Sequence, residues 1–354
     1  MPGLYLEPTG FLYGEIARQA IAAGEALPLA GSPRIAFSAA RLQEGGPGGI
    51  RNIFLRASAL PQLSEPRVKA LLARIIEPRA DIAGVPMDGP RIMGILNVTP
   101  DSFSDGGEHF ATDAALAHAA DLVRHGTDFI DVGGESTRPG SDPVDVEEEV
   151  RRILPVLDGL AAWQTPVSVD TRRPEVMRAV AGGARLDIIN DVSALTFSSD
   201  SLSTAAELRK PVVLMHAQGD PKTMQDAPSY ADVVTEVFDW LEARIEAAVA
   251  AGIDRAKIVA DPGIGFGKTL AHNAALLRSI ALFHGLGVPL LVGTSRKRSL
   301  QRVAAAELPG DIDAASVAAA LDAASRGVQI VRMHNVEATA QALAVWRWLN
   351  GSNP

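Results

Sequence analysis

The chain contains no cysteine. Disulfides, thiolate metal sites and cysteine nucleophiles are thereby excluded. No stretch approaches the ~18 consecutive apolar residues of a membrane span. The opening residues, Met1-Pro-Gly-Leu-Tyr-Leu-Glu7, lack the basic-then-apolar order of an export signal. Positive charge is in the minority: the net charge is −9 and the isoelectric point near 5.3. That argues against nucleic acid or an anionic membrane as the main partner, while leaving small anions free to bind at local Arg, Lys and helix N-termini. The seven histidines are scattered, with none beside the end of the first strand of the main repeat, so a tightly bound transition metal is not expected. A soluble cytoplasmic protein is the default reading.

With 47% hydrophobic and 21% charged residues, the composition is that of an ordinary globular protein. From Arg91 onward, short apolar runs repeatedly end in a polar residue. Met93-Gly-Ile-Leu96 ends at Asn97, Phe129-Ile-Asp-Val132 at Gly133-Gly-Glu135, and Val167-Ser-Val169 at Asp170. Ile188-Ile189 ends at Asn190-Asp191, Val212-Val-Leu-Met215 at His216, and Ile258-Val-Ala260 at Asp261. Leu290-Leu-Val292 ends at Gly293-Thr-Ser295, and Ile330-Val331 at Arg332. Helical patterns fall between them at 112–125, 145–162, 174–182, 200–209, 231–251, 271–283, 296–326 (broken near Pro309) and 336–349. Eight strand-then-helix units over residues 91–354 match the ~250 residues of a (βα)8 TIM barrel. The rival, a doubly wound open sheet, would carry a Gly-rich dinucleotide turn after its first strand; Asn97-Val-Thr-Pro100 is not one.

Residues 1–76 read as a small α+β extension of unknown role. Tyr13 to Ala23 predicts a short helix. Arg34–Ser38 and Ile50–Leu55 predict strands of a hairpin around Gly45-Gly-Pro-Gly-Gly49. Glu65 to Ile76 predicts a helix with Ser64 as N-cap and Pro66 in the first turn. Residues 77–90 carry Pro78, Gly84, Pro86, Gly89 and Pro90 and read as a linker. Glu147–Arg151 and Glu148–Arg152 are i,i+4 pairs expected on a solvated helix face.

The chemistry should lie at the C-terminal ends of the strands. Asp261-Pro-Gly-Ile-Gly-Phe-Gly-Lys268-Thr269 invites a P-loop reading, but Pro262 stands where the first glycine is required. The alternative is backbone lying close to a flat ligand. Asp170 and Asp261 follow apolar runs. The ordinary explanation for each is an N-cap or an ion pair; together with Asn190 they offer acceptors to a flat aminopyrimidinone ring. Ser295-Arg-Lys-Arg298 and Arg332-Met-His334 place cations after strands seven and eight, the usual phosphate site of a barrel. The Gly-, Pro- and hydroxyl-rich loops Thr99–Gly107 and Glu135–Gly140 read as mobile lids. His216 has no assigned purpose.

Taken together, these segments resemble dihydropteroate synthases. Ile95-Leu-Asn-Val-Thr-Pro-Asp-Ser-Phe-Ser-Asp-Gly-Gly107 is similar to that family's first signature and Asp131-Val-Gly-Gly-Glu-Ser-Thr-Arg-Pro-Gly140 to its second. Ser168-Val-Asp-Thr171, Ile189-Asn-Asp191, Leu214–Gly219, Asp261–Lys268 and Ser295-Arg-Lys297 follow in order. The resemblance covers about residues 91–348. It implies condensation of 6-hydroxymethyl-7,8-dihydropterin diphosphate with 4-aminobenzoate, releasing pyrophosphate. It also implies that Asp170, Asn190, Asp261 and Lys297 hold the pterin, with Met215 lining its pocket. Asn97, Arg332 and His334 would hold the diphosphate, Asn97 through Mg2+. Phe103, Thr137, Arg138, Pro139 and Ser295 would contact 4-aminobenzoate or order around it. Lys297, Arg332, His334 and Asp261 would carry the catalysis, and a homodimer is the family's habit. One departure is Asn335, where the family commonly has Asp, beside His334. A methyltransferase of the related pterin-binding barrels would not need Ser295-Arg-Lys297 or the Arg138 loop. A noncatalytic paralogue would not need complete loop motifs.

Overall fold

The computed structural model describes residues 3–46, 49–98, 107–136, 144–219 and 223–351. Its larger part is a ring of eight parallel strands: β5 (Arg91–Asn97), β6 (Phe129–Gly133), β7 (Val167–Asp170), β8 (Ile188–Asp191), β9 (Val212–Met215), β10 (Ile258–Asp261), β11 (Leu291–Val292) and β12 (Ile330–Met333). Each strand from β5 to β9 pairs with the next in sequence, and β12 pairs with both β5 and β11. A parallel bridge between Ala260 and Leu290 joins β10 to β11 and closes the ring. Closure rules out the open doubly wound sheet.

Outside lie α3 (Gly107–Arg124), α4 (Val146–Gly159), α5 (Pro174–Gly183), α6 (Ser201–Leu208), α7 (Val233–Ala250), α8 (Leu270–Arg278), α9 (Arg298–Ala304), α10 (Asp313–Ser325) and α11 (Val336–Leu349). The helix expected over 271–283 stops at Arg278. A fully buried 3-10 turn, Ile280–Leu286, takes over and ends at Gly287 with φ +75. Glu148 takes the ion pairs of both Arg151 and Arg152. Glu149, next to it in sequence, turns inward and is fully buried against Arg173 Nη1 at 2.6 Å.

Alternation along the strands stacks the interior in layers, because residues two apart face the same side. Met93, Phe129, Ile188, Val213, Val259, Leu291 and Ile330 form a dry layer toward the N-terminal end. Two residues further along five of the same strands stand Asp131, Asn190, Met215, Asp261 and Arg332.

The first part of the chain is an antiparallel sheet with two helices. β1 (Leu4–Tyr13) leads into α1 (Gly14–Ala22) and β2 (Leu27–Leu29); β3 (Ser32–Gly46) pairs with β1, β2 and β4 (Gly49–Arg56). The β3–β4 pairing is the predicted hairpin, with strands longer than expected. The sequence reading missed β1, whose apolar pattern Pro8 and Gly10 interrupt. α2 (Pro66–Ile76) begins with Pro66, and its N-cap is Glu65, whose carboxylate accepts from Val68 N at 2.7 Å; Ser64 is not the cap.

This sheet shares a hydrophobic core with the outside of the barrel. Tyr5 meets Phe238 edge-on at 5.6 Å and donates to Asp239 at 2.7 Å. Arg67 forms a two-pronged pair with Glu242 at 2.8 and 2.7 Å. The segment 77–90 joins the two parts and also packs: Ile82 and Met87 are buried in the dry layer beneath the barrel.

Candidate active site

The strand ends converge on a cleft lined by Asp170, Asn190, Met215, Asp261, Lys297 and Arg332, with Val192, Ile264, Phe266 and Gly293. Six residues singled out from sequence therefore share one cavity, although they come from strands β7 to β10, β12 and the loop after β11.

At the floor lies an ion-pair network. Arg332 donates through Nε to Asp131 at 2.6 Å and through Nη2 to Asp170 at 2.9 Å. Asn190 Nδ2 reaches both oxygens of Asp131, at 3.3 and 3.1 Å. One guanidinium thus serves two carboxylates. Asp170 Oδ1 is buried with no hydrogen-bond partner among the described residues. Such an atom is costly unless a ligand donor fills the position. Burial pushes the Asp170 carboxyl up to about 7, with Arg332 opposing and Asp131 reinforcing. Asp261 is pushed up to about 6 by burial, against a 2.7 Å bond from Gly263 N and the cations Lys297 and Lys268. The sequence reading missed Asp131, which stands in the middle of an apolar run and looks like a core residue.

The cleft wall is built by the glycine-rich loop after β10. Gly263, Gly265 and Gly267 all have positive φ, at +67, +87 and +61. Their missing side chains let the backbone lie against His216, Lys297 and Gln218 respectively. Lys297 Nζ sits 4.1 Å above the centre of the Phe266 ring. Phe266 was also missed: inside the Gly-rich run its ring carried no signal of its own.

Ser295 and His334 hold one another, with 2.9 Å between Ser295 Oγ and His334 Nδ1 and 3.1 Å from His334 N to the same hydroxyl. Arg296, grouped with Lys297 by sequence, adopts φ +54 and pairs with Asp313 at 3.0 and 3.1 Å. Asn335 explains its own presence. Its Oδ1 caps α11 by accepting from Ala338 N, while its Nδ2 donates to Asp313 at 3.0 Å. A carboxylate in its place would face the Asp313 carboxylate. Arg173 bridges Glu149 and Glu135 at 2.6 and 3.1 Å. Asp191, beside Asn190, holds its own loop by accepting from Ser193 and Leu195.

Phe103, Thr137, Arg138 and Pro139 lie outside the described residues. Asn97 ends β5, and its Oδ1 is 3.8 Å from where a side chain on Gly133 would begin. Among the described residues no group of three His, Asp or Glu could hold a metal ion. A hard cation here would find Asn97 Oδ1 and need most of its oxygens from elsewhere, as Mg2+ does when it arrives with phosphates.

Comparison with known proteins agrees with this geometry. The family model described as pterin binding enzyme matches residues 93–334. The chain belongs to the pterin-binding enzyme family. The dihydropteroate synthase of Neisseria meningitidis serogroup B is 49% identical over 272 residues, covering 74% of this chain and 94% of the relative. The Xanthomonas albilineans dihydropteroate synthase structure with 4-aminobenzoic acid superposes with a TM-score of 0.72 at 51% identity, covering 78% of this chain and 99% of that one. The same enzyme in complex with 7,8-dihydropteroate gives 0.69 at 48% identity, covering 78% and 100%. The strand-end cavity of this pterin-binding enzyme lies within the matched region, and its first 92 residues lie outside it.

Proposed function

We infer that the protein is a transferase that joins 6-hydroxymethyl-7,8-dihydropterin diphosphate to 4-aminobenzoate, yielding 7,8-dihydropteroate and pyrophosphate in folate biosynthesis. The relatives' names and the ligands of the Xanthomonas structures support the reaction. The observation that carries the reading to this chain is the buried Asp170 Oδ1, without a hydrogen-bond partner among the described residues, in a cavity shared with Asn190 and Asp261. Two carboxylates and an amide there match the adjacent N–H donors of a pterin's aminopyrimidinone edge. Binding would satisfy Asp170 and displace little else.

The reaction breaks the C–O bond between the pterin methylene and the diphosphate, and the electron pair leaves with pyrophosphate. The arylamine nitrogen forms the new C–N bond and loses a proton to water. In this reading Asp170, Asn190, Asp261 and Lys297 fix the ring, with Met215 beneath it. Arg332, His334 and Asn97 face the departing diphosphate, where fixed donors are worth most as charge develops. Lys297 above Phe266 gives a platform beside the methylene. Phe103, Thr137, Arg138, Pro139 and Ser295 are assigned to 4-aminobenzoate. Asn97 would help to hold a Mg2+ ion carried by the diphosphate, and such an ion would supply neutralisation of the leaving charge. A homodimer is also proposed; Val345, Trp348 and Leu349 of α11 are exposed apolar residues that suit one, and a monomer mass by light scattering would reject it.

Pyrophosphate release by the purified full-length protein should require the pterin diphosphate, 4-aminobenzoate and Mg2+ together. Folded protein that releases none with all three present would remove the reading.

A further inference from the structure

We propose that Lys268 and His216 form a positioning clamp that shapes the pterin-facing loop from inside. The inference rests on the pterin-transferase reading above and adds residues that touch no substrate. Lys268 is 3% exposed, and its ammonium lies inside the loop that it ends. Nζ donates to the carbonyls of Gly263 at 2.9 Å, Phe266 at 3.0 Å and His216 at 3.3 Å, and lies 2.9 Å from His216 Nδ1. The loop backbone therefore curls around a single cation. A P-loop lysine would point outward at phosphate; this one points inward at carbonyls.

His216 completes the arrangement. Its ring meets Trp240 edge-on at 4.8 Å and Tyr230 at 6.1 Å. Burial, with Lys268 adjacent, pushes its pKa down to about 3. The ring is thus neutral and can offer Nδ1 as an acceptor. Burial lowers the Lys268 pKa as well, with Asp261 opposing, and the carbonyls of Gly263 and Phe266 favour its charged form by accepting from it. Around this centre the loop is pinned from outside: Tyr230 donates to Gly267 O at 2.8 Å, Gln225 to Gly265 O at 2.5 Å, and Gly265 N donates to Asn273 at 2.7 Å. The same loop presents Ile264 and Phe266 to the cavity, and Asp261 lies immediately before it. Holding the carbonyls of residues 263 and 266 on one ammonium fixes where the Phe266 ring and its Lys297 partner stand.

Removing the ammonium would strand several buried carbonyls, each of which seeks a new partner and distorts the loop. The test uses the full chain and 6-hydroxymethylpterin, which carries no diphosphate and cannot react. Lys268→Met keeps the length and removes the donors. His216→Phe keeps a ring against Trp240 and removes only the acceptor. Expected are weakening of pterin binding by roughly tenfold or more in Lys268→Met and about threefold in His216→Phe. Hydrogen exchange at the Gly263 and Gly265 amides should be faster in both, with the far-ultraviolet spectrum and cooperative melting retained. His216→Asn, which keeps an acceptor, should bind more like wild type than His216→Phe does. If Lys268→Met fails to fold, the His216 pair decides by the same binding and exchange readings. Wild-type affinity and exchange in a folded Lys268→Met, or in His216→Phe where the lysine variant fails to fold, would overturn the clamp while leaving the transferase reading intact. A wild-type protein that neither binds the pterin nor releases pyrophosphate would overturn both.

Discussion

The two ends of the barrel are made by the same strands and behave as different materials. At the N-terminal end, Phe129, Ile188, Val259 and Ile330 pack with Ile82 and Met87 from the preceding segment. Two residues on, at the C-terminal end, Asp131, Asn190 and Arg332 bond to one another, and Asp261 lines the same cleft as Asn190 and Arg332. A step of two residues, roughly 6.6 Å, separates a layer built for stability from one built to receive a ligand. The lower layer gains free energy by removing apolar area from water. The upper layer holds desolvated charge, and burial there raises the Asp261 carboxyl to about 6. Only the lower layer is sealed.

The sharpest way to break this comparison is to substitute at each end in turn. Asp261→Ala and Lys297→Ala should each lower turnover at least ~10³-fold, with cooperative melting preserved; near-wild-type pyrophosphate release in either would refute the assigned roles. Phe129→Ala should do the reverse. Deleting a fully buried ring beneath the cleft should cost about 3 kcal/mol of unfolding free energy in a urea titration, with kcat per folded molecule changed little. A large fall in kcat at full stability would mean that the two layers are not separate.

The smallest effect concerns pH. Asp170 and Asp261 are raised in the folded protein to about 7 and about 6, while an unfolded aspartate titrates near ~3.9. Between these values the native state holds protons that the unfolded state has released. Stability therefore falls as pH rises, and their contribution is fully present only near pH 4 and below. Asp170→Asn should flatten the decline between pH 5 and 7.5, an effect on the order of 1–2 kcal/mol. An equal pH dependence in wild type and variant would show that Asp170 keeps no proton in this range. Substitutions in the lower layer should leave the slope alone.

Much of the barrel was legible because its grammar is local. Each strand from β5 to β12 is a short apolar run with a polar stop, and the helix boundaries mostly fall within a few residues of the periodic pattern. Legibility failed where local pattern and tertiary role diverge. Residues 77–90 are punctuated like a linker, yet Ile82 and Met87 are buried beneath the strands. Irregular backbone has no period to betray its buried side. Asp131 sits inside an apolar run, and only closure of the ring sets it beside Arg332 and Asn190 from strands distant in sequence. Arg296 and Lys297 are neighbours in sequence with different tasks, because the left-handed φ at Arg296 turns its side chain to Asp313.

The order of motifs alone pointed to a (βα)8 barrel and set polar acceptors at the ends of strands three, four and six. The tertiary structure decided which groups are paired and which wait for a ligand. Among the described residues Asp170 keeps one oxygen without a partner, while Asn335 and Asp191 use theirs for caps and turns. It also decided the direction of Lys268, whose sequence suggests a phosphate loop and whose ammonium is buried among carbonyls. The physical reason is the same throughout. Residue type and spacing specify which face a side chain takes, but the partners of a buried polar atom are supplied by chain segments that only folding brings together.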